Sequence, residues 1–434
     1  MTPSSAAGPA EGHAGATRRE VWAWAMYDWA NSAYSTLSIT LLVGYLQQVV
    51  FPEKGASVWA WGIALSMFVG ALLSPILGAV ADAHASKKIW LAWMTFGGAG
   101  SAIALSLVPP EYPWVIVALF VSASLFFELS LGFYNGFLPE ITDEQSIDRV
   151  SAWGYGLGYV GGGMALVLAV IVLNTGLSDD VTLLRVGLFI MGAWWGLFAL
   201  PTLMILRDRG VPRSDAGSIP RVAVAAIKEV RHTLANIRSY RMLAIFLVAF
   251  LFYNDGVQTV LSQSSTFAMK VLDFTISELT GVILMIQFLA LPGAIVIGWL
   301  ASRLGQKHVL MGCLVVWVAL LAYAFTMTHK WEFWVLGVAV ALVMGGTQSV
   351  SRAIMCKMTP KARSAEFFGF FNLSGKATSF MGAALFGVIL SIAETESQGA
   401  RYAIVSLLPF FLIGLVLMAK FNVARGRREA LEAK

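Results

Sequence analysis

Twelve apolar runs, each long enough to cross a bilayer and separated by short polar breaks, leave few folds open to this chain. They lie near 22–50, 57–81, 89–108, 113–137, 151–173, 184–206, 241–269, 277–301, 308–327, 331–355, 365–391 and 400–423. A helix needs about 20 apolar residues to span the hydrocarbon core. The runs are continuous and do not alternate, which excludes an outer-membrane barrel. With 58% hydrophobic and 13% charged residues, the chain has too little charge to cover a soluble surface. The expected class is an all-α integral membrane protein with the lipid bilayer as its first partner.

The first run carries an anomaly. At about 100° per residue, Asp28, Asn31, Ser32 and Ser35 fall on one stripe of the helix. A charge at the bilayer centre costs about 2.5–3.5 kcal/mol on insertion scales, so this stripe must face protein or a watery cavity. The pattern returns 227 residues later as Asp255, Gln258, Thr259 and Ser262 in the seventh run. Two related halves, each opening on a helix with an acid, an amide and hydroxyls on one face, are the mark of a duplicated transporter whose site lies where the halves meet. The expected organisation is a disordered tail at 1–21, a six-helix bundle at 22–206, a linker at 207–240, a second six-helix bundle at 241–423 and a tail at 424–434.

Charge placement gives the orientation. Of the 30 Lys and Arg residues, five lie in odd-numbered loops (Lys54, Arg185, Lys270, Lys330 and Arg401), and Arg352 and Lys376 lie within spans. The rest lie in the tails and even-numbered loops, which puts both termini in the cytoplasm of a cell (plasma or inner) membrane. The net charge of +5 reflects this topology, and no nucleic-acid partner is expected. Cys313 and Cys356 fall toward the cytoplasmic ends of their helices, where a disulfide is not expected. Residues 1–20 lack a basic start followed by a short apolar core and read as a tail, not a cleaved signal.

In the first half, the second run ends in Gly78-Ala-Val-Ala-Asp82 with Lys87-Lys88 just beyond. Gly78 would let helices approach closely. Asp82 is placed to cap a neighbouring helix or pair with a cation, or it simply ends its own helix. Ser124, Glu128 and Asn135 share a stripe of the fourth run, next to Tyr134. Glu128 lies about fifteen residues from the outer end, at about 1.5 Å each, and this mid-depth position makes it a candidate proton carrier; a structural partner for a cation is the alternative. Gly154, Gly158 and Gly162 form a smooth packing strip on the fifth run.

The linker 207–240 is basic, and the spacing of Val222, Ala226, Val230, Leu234 and Ile237 predicts an amphipathic helix on the membrane surface. The second half repeats the loop motif as Gly298, Ser302, Arg303, Gly305 and Lys307, offset by 220. On the tenth run Gln348 and Arg352 share a face, and Arg352 lies near enough to the end to snorkel. The eleventh run places Asn372, Lys376 and Ser379 on one stripe. Lys376 lies too deep to snorkel and needs an acid or a substrate anion.

Tyr27–Tyr34 (YDWANSAY), Tyr134–Glu140 (YNGFLPE), Arg149–Gly154 (RVSAWG), Tyr253–Gln258 (YNDGVQ), Gly345–Arg352 (GGTQSVSR) and Ala365–Phe371 (AEFFGFF) resemble the vacuole-effluxer-like family, the autophagy-related amino-acid effluxers, of the major facilitator superfamily. The resemblance implies twelve transmembrane helices in two pseudo-symmetric six-helix bundles, a central cavity lined by helices 1, 4, 7 and 10, and alternating access coupled to a proton gradient. Fungal members are associated with releasing amino acids from the vacuole. The chain departs from the superfamily's pattern at the loop between helices 2 and 3, where Ala83 and Ala85 replace a basic residue and a glycine. A gate lock there would be weakened, or supplied by Lys87 or Arg303.

The resulting expectation is a secondary transporter of a small polar or zwitterionic solute, with amino-acid efflux and proton coupling favoured and a monomer as the working unit. Asp28, Glu128 or Asp255 would take an ammonium, and Lys376 or Arg352 a carboxylate. Tyr27, Tyr134 and Tyr253 would pack around an apolar side chain. Asn31, Ser32, Asn135, Asn254, Gln258, Gln348 and Asn372 complete the expected substrate and coupling set, and Gly78, Asp82, Lys87, Gly298, Arg303 and Gly305 the gating set. Rival readings are an exporter of sugars, organic ions or drugs, and a non-transporting membrane sensor. An enzyme is disfavoured: all five histidines lie in tails or loops, no HExxH or paired-cysteine metal site exists, and no cofactor is implied.

Overall fold

The computed structural model describes residues 17–52, 55–143, 145–212, 240–376 and 381–432, with a few positions between 222 and 228. The spans are α1 (18–50), α2 (Gly55–Ala83), α3 (Lys87–Leu107), α4 (Pro113–Gly136), α5 (Ile147–Leu173), α6 (Asp180–Ile205), α7 (Arg241–Leu272), α8 (Ile276–Leu304), α9 (Gln306–Thr326) and α10 (Lys330–Lys357). They are followed by α11, described over Ser364–Lys376 and Met381–Ile392, α12 in two segments (Glu396–Val405 and Leu408–Lys420), and a short α13 (Val423–Glu432). Ten helices among the described residues are long and apolar enough to cross a membrane. The polar-striped α1 and α11 fit the remaining two apolar runs, and the described residues form no strand. Most of the linker's expected amphipathic helix lies outside the described residues.

Local chemistry starts the helices where the sequence provides caps. Thr17 Oγ1 accepts the Glu20 N–H at 3.3 Å while the Glu20 carboxylate accepts the Thr17 N–H at 2.9 Å. Thr275 and Glu278 repeat this reciprocal cap at α8, and Asp179 caps α6 through the Thr182 N–H at 2.9 Å. The turns α2–α3 and α8–α9 occupy matching places in the two halves. The second is made by Gly305 at φ +88°, the first by Ala85 at φ +47°. The glycine missing from the first-half motif is thus replaced by an alanine held in the left-handed region, a conformation that costs a side chain about 1–2 kcal/mol.

Arg209, beyond the end of α6, bonds the Glu20 carboxylate at the start of α1 at 2.8 Å. Glu429 of α13 accepts the Met242 N–H at the start of α7 at 2.8 Å. These ends define one face, here called the terminal face, and the opposite one is distal. The halves meet along α2 and α4 with the first segment of α11, and along α5 with α8 and α10. The part of α1 beyond residue 38, α7, and the second segment of α11 make no comparably extensive contact with the opposite half among the described residues. Glycine allows the tight approaches. A Cβ on Gly161 would lie 2.5 Å from the Trp29 carbonyl oxygen, and one on Gly369 would lie 2.7 Å from Pro75 Cα.

Candidate functional site

A buried polar assembly between the halves is centred on Asp28 and Arg352. Arg352 Nη1 lies 2.9 Å from Asp28 Oδ2 and 3.4 Å from Asn135 Oδ1. Its Nε donates to Ser151 Oγ at 3.0 Å and its Nη2 to the Ser151 carbonyl at 2.7 Å. The Tyr134 hydroxyl donates to the same Asp28 oxygen at 2.8 Å. The guanidinium lies over the rings of Tyr155 at 4.0 Å and Trp24 at 4.7 Å. Arg352 is 1% exposed, so it does not snorkel; it is held in place by residues of three other helices. Two charges removed from water are tolerable only when their remaining hydrogen-bonding capacity is met, and here α1, α4 and α5 supply those partners. The site also depends on a residue with no side chain: a Cβ on Gly154 would lie 2.6 Å from both Arg352 Nη2 and Asp28 Oδ2.

A second tier closes the terminal face. Asp82 Oδ2 accepts the Glu366 N–H at 3.0 Å, capping the first segment of α11. Lys87, 1% exposed, reaches Glu140, the Ser364 hydroxyl at 2.8 Å and Asp82 at 3.4 Å. Gly78 lies against Ala365 of the other half. The basic residue absent at Ala83 is therefore supplied by Lys87. Arg303 does not join this tier; it is exposed and lies over Trp299 at 4.8 Å. The other side of the pseudo-symmetric seam uses the same parts in reverse. Here the acid, Asp148, sits on α5, and the loop motif contributes an amide, Gln306, which bonds it. Gly298 packs against Ala152 and the Asp148 carbonyl, and Lys357 stands 3.9 Å from Asp148.

Toward mid-depth the seam becomes neutral. The Tyr159 hydroxyl donates to Gln348 Oε1 at 2.9 Å, and Gln287 donates to Thr36 Oγ1 at 3.0 Å. Asp255 lies elsewhere, inside the second half. One of its oxygens accepts the Gly382 N–H at 3.2 Å at the start of the second segment of α11, and the other has no hydrogen-bond partner among the described residues. Asn254 donates to the Gly375 carbonyl of α11 at 3.0 Å. The side chain of Lys376 lies outside the described residues.

The expected tyrosines are packed core, not cavity lining. Tyr27 bonds Thr95 at 2.8 Å and Tyr253 bonds Ser351 at 2.7 Å, and Tyr27, Tyr134 and Tyr253 are all at most 1% exposed. Their hydroxyls are satisfied, so in this conformation they leave no room for a solute side chain. Asn31 is buried with its Nδ2 unpartnered among the described residues. Ser32 faces Gly158, while Gln258 and Glu128 are half-buried. Sequence reasoning missed Ser151, Tyr155 and Asp148. Asp148 precedes Glu366 by 218 residues, close to the other offsets, so carrying the repeat through α5 would have found it. Cys313 and Cys356 are buried and unpaired.

The family model described as "vacuole effluxer Atg22 like" matches residues 52–431. An uncharacterized MFS-type transporter of Bacillus subtilis (strain 168), YxiO, is 33% identical over 408 residues, covering 91% of this chain and 93% of that protein. Autophagy-related protein 22-1 of Penicillium rubens is 27% identical over 304 residues; the match takes in 65% of this chain and 50% of the fungal protein, so this chain spans about half its length. Among solved structures, the human organic anion transporter MFSD10 (TETRAN) aligns with a TM-score of 0.73 at 14% identity, over 92% of this chain and 99% of that one. The proton:xylose symporter XylE aligns with a TM-score of 0.71 at 14% identity, over 93% and 95%. At such identities the likeness establishes the fold alone.

Proposed function

The chain belongs to the vacuole effluxer Atg22 like family and is a transporter of the major facilitator type, and on that premise we propose that it exports amino acids by proton-coupled alternating access. The observation that carries the reading is the seam itself. Polar groups from both halves interlock from the terminal face to mid-depth, while distal α1, α7 and distal α11 stay off the opposite half. That asymmetry is what one state of a rocking carrier requires. The moving bodies are residues 22–206 and 241–423, working as a monomer in the plasma or inner membrane with both termini cytoplasmic, as the Lys and Arg distribution supports.

In this reading Asp28 and Arg352 form the lock of the terminal gate and are released only when that gate opens. Glu128 and Asp255 are the acids for the solute ammonium or the coupling proton, and Lys376 is the cation for a carboxylate. Each unit charge moved across 100 mV is worth about 2.3 kcal/mol, enough to bias two states. The test is counterflow of a labelled amino-acid panel in proteoliposomes, with and without an imposed proton gradient. Gradient-responsive flux that is lost in Asp255→Asn or Glu128→Gln supports the proposal. Normal gradient-dependent flux in both variants refutes the coupling assignment. No flux of any member by folded protein refutes the amino-acid reading and favours sugars, organic ions or drugs, or a sensor.

A further inference from the structure

A cavity of about 420 Å³ opens on the terminal face, where α9 begins, α10 ends and the chain turns from α12 into α13. Its volume is within the range of small-ligand sites, about 300–1,000 Å³. Lys307, His308 and Lys357 line it, and none of the described residues in its wall is acidic. Both lysines hold donors in reserve. Lys307 Nζ gives one hydrogen bond, to the Ala419 carbonyl at 2.7 Å, which fixes the side chain against the wall, and an ammonium has three donors. Lys357 stands 3.9 Å from Asp148, beyond hydrogen-bonding distance. His308 is exposed at the rim. The side-chain oxygen of Asn422 is turned to its own helix, where it accepts the Arg425 N–H at 3.0 Å, so it does not serve the lysines.

We propose that this cavity binds a phosphate group, with Lys307 and Lys357 on its oxygens and His308 at its rim. A cleft lined by one sign of charge concentrates counter-ions. Two ammonium groups facing one cavity cannot satisfy each other, and the anion that meets both needs several acceptor oxygens and more charge than one carboxylate carries. A phosphate supplies them. Two sources fit that chemistry. The cavity lies where α12 ends at Lys420 and α9 begins at Gln306, the depth at which lipid head groups lie, and a basic pocket there suits an anionic head group. It is also open to the aqueous side, from which a soluble phosphate compound would enter. The site is separate from the Asp28–Arg352 pair and does not depend on what the protein carries. It does bear on the contact between the halves. Gln306 and Lys357 both line the cavity and both face Asp148 of α5, so an occupant shares Lys357 with the first half.

The test uses full-length protein in lipid nanodiscs, with thermal unfolding as the readout. One arm uses phosphatidylcholine discs and adds inorganic phosphate, against sodium chloride and sodium acetate at equal ionic strength. The other replaces part of the phosphatidylcholine with phosphatidylglycerol and adds no phosphate. A rise in melting temperature of at least about 2 °C is expected in one arm or both, and it should be lost when Lys307→Gln and Lys357→Gln are combined. A rise in the first arm identifies a soluble phosphate compound as a ligand, and a rise confined to the second identifies a lipid head group. No rise in either arm, an equal rise with acetate, or a rise that survives in the double variant overturns the site. Should the double variant fail to fold, Ala424→Glu decides. It puts a carboxylate on the exposed wall of the cavity and is expected to abolish the rise; an undiminished rise there overturns the site equally. No transport is measured, so each of these outcomes leaves the carrier reading as it stands.

Discussion

Asp28 and Arg352 are 324 residues apart in sequence and 2.9 Å apart in the fold, and their ion pair joins the two halves. Removing one member of a buried pair is worse than never having had the pair, because the survivor keeps its charge without a partner, at a cost of about 3–5 kcal/mol. Arg352→Met is therefore expected to open the terminal face. Native Cys356, 5% exposed on α10, is a ready reporter, and its alkylation rate should rise at least about tenfold, with Cys313 as the internal control. An unchanged rate would show that the pair is not the lock.

Gly154 should tolerate no side chain. An alanine methyl would collide with both members of the ion pair, so Gly154→Ala is expected to lower stability by at least about 2 kcal/mol. Gly100 offers the contrast: nothing lies within 4 Å of its Cβ position. Gly100→Ala should be neutral or stabilising by about 0.5–1 kcal/mol through helix propensity. Thermal unfolding of the two purified variants side by side makes the comparison.

The turns at Ala85 and Gly305 predict opposite responses to opposite substitutions. Ala85→Gly relieves a left-handed alanine but adds freedom to the unfolded chain, for a net gain of about 0.5 kcal/mol. Gly305 sits at φ +88° and ψ 135°, outside the left-handed well and near backbone that essentially only glycine adopts, so Gly305→Ala should cost about 1–3 kcal/mol. A melting temperature that falls in both variants would mean that Ala85 is not strained where it sits.

Asp82→Ala removes the cap of α11 and one of the two acids beside Lys87. Loss of a cap costs about 1 kcal/mol, and Lys87 keeps Glu140. Cys356 alkylation should therefore rise by less than in Arg352→Met, about two- to fivefold. A larger effect than that of Arg352→Met would reverse the order of the two tiers.

Much of the fold was legible in the sequence because lipid allows so few solutions. Continuous apolar runs of spanning length imply helices, and Lys and Arg bias implies a topology. The repeat at 227 was readable because Asp28 and Asp255 cannot face hydrocarbon. The pairing was not readable. Periodicity says which stripe of a helix is polar but not which other stripe it meets, so Arg352 remained open between snorkelling and an internal partner until Ser151, Asn135 and Asp28 were seen around it. Tyr27, Tyr134 and Tyr253 misled for a related reason: an aromatic with a hydroxyl suits a wet cavity and a satisfied core equally well. The matching acids also diverged. Asp28 faces an arginine across the seam, whereas one oxygen of Asp255 accepts the Gly382 N–H within its own half, a difference in partners that the shared stripe does not encode.

The contact between Glu429 and the Met242 N–H bears on how the protein is made. The opening turn of α7 gains its acceptor from a residue synthesised 187 positions later, so the second half emerges from the ribosome with that turn unfinished. Insertion can be complete while assembly is not, and a nascent chain halted before Glu429 would hold all its spans yet remain open at the entry to α7. A reporter fused just before α13 would therefore be read out on a protein whose second half had never been fastened.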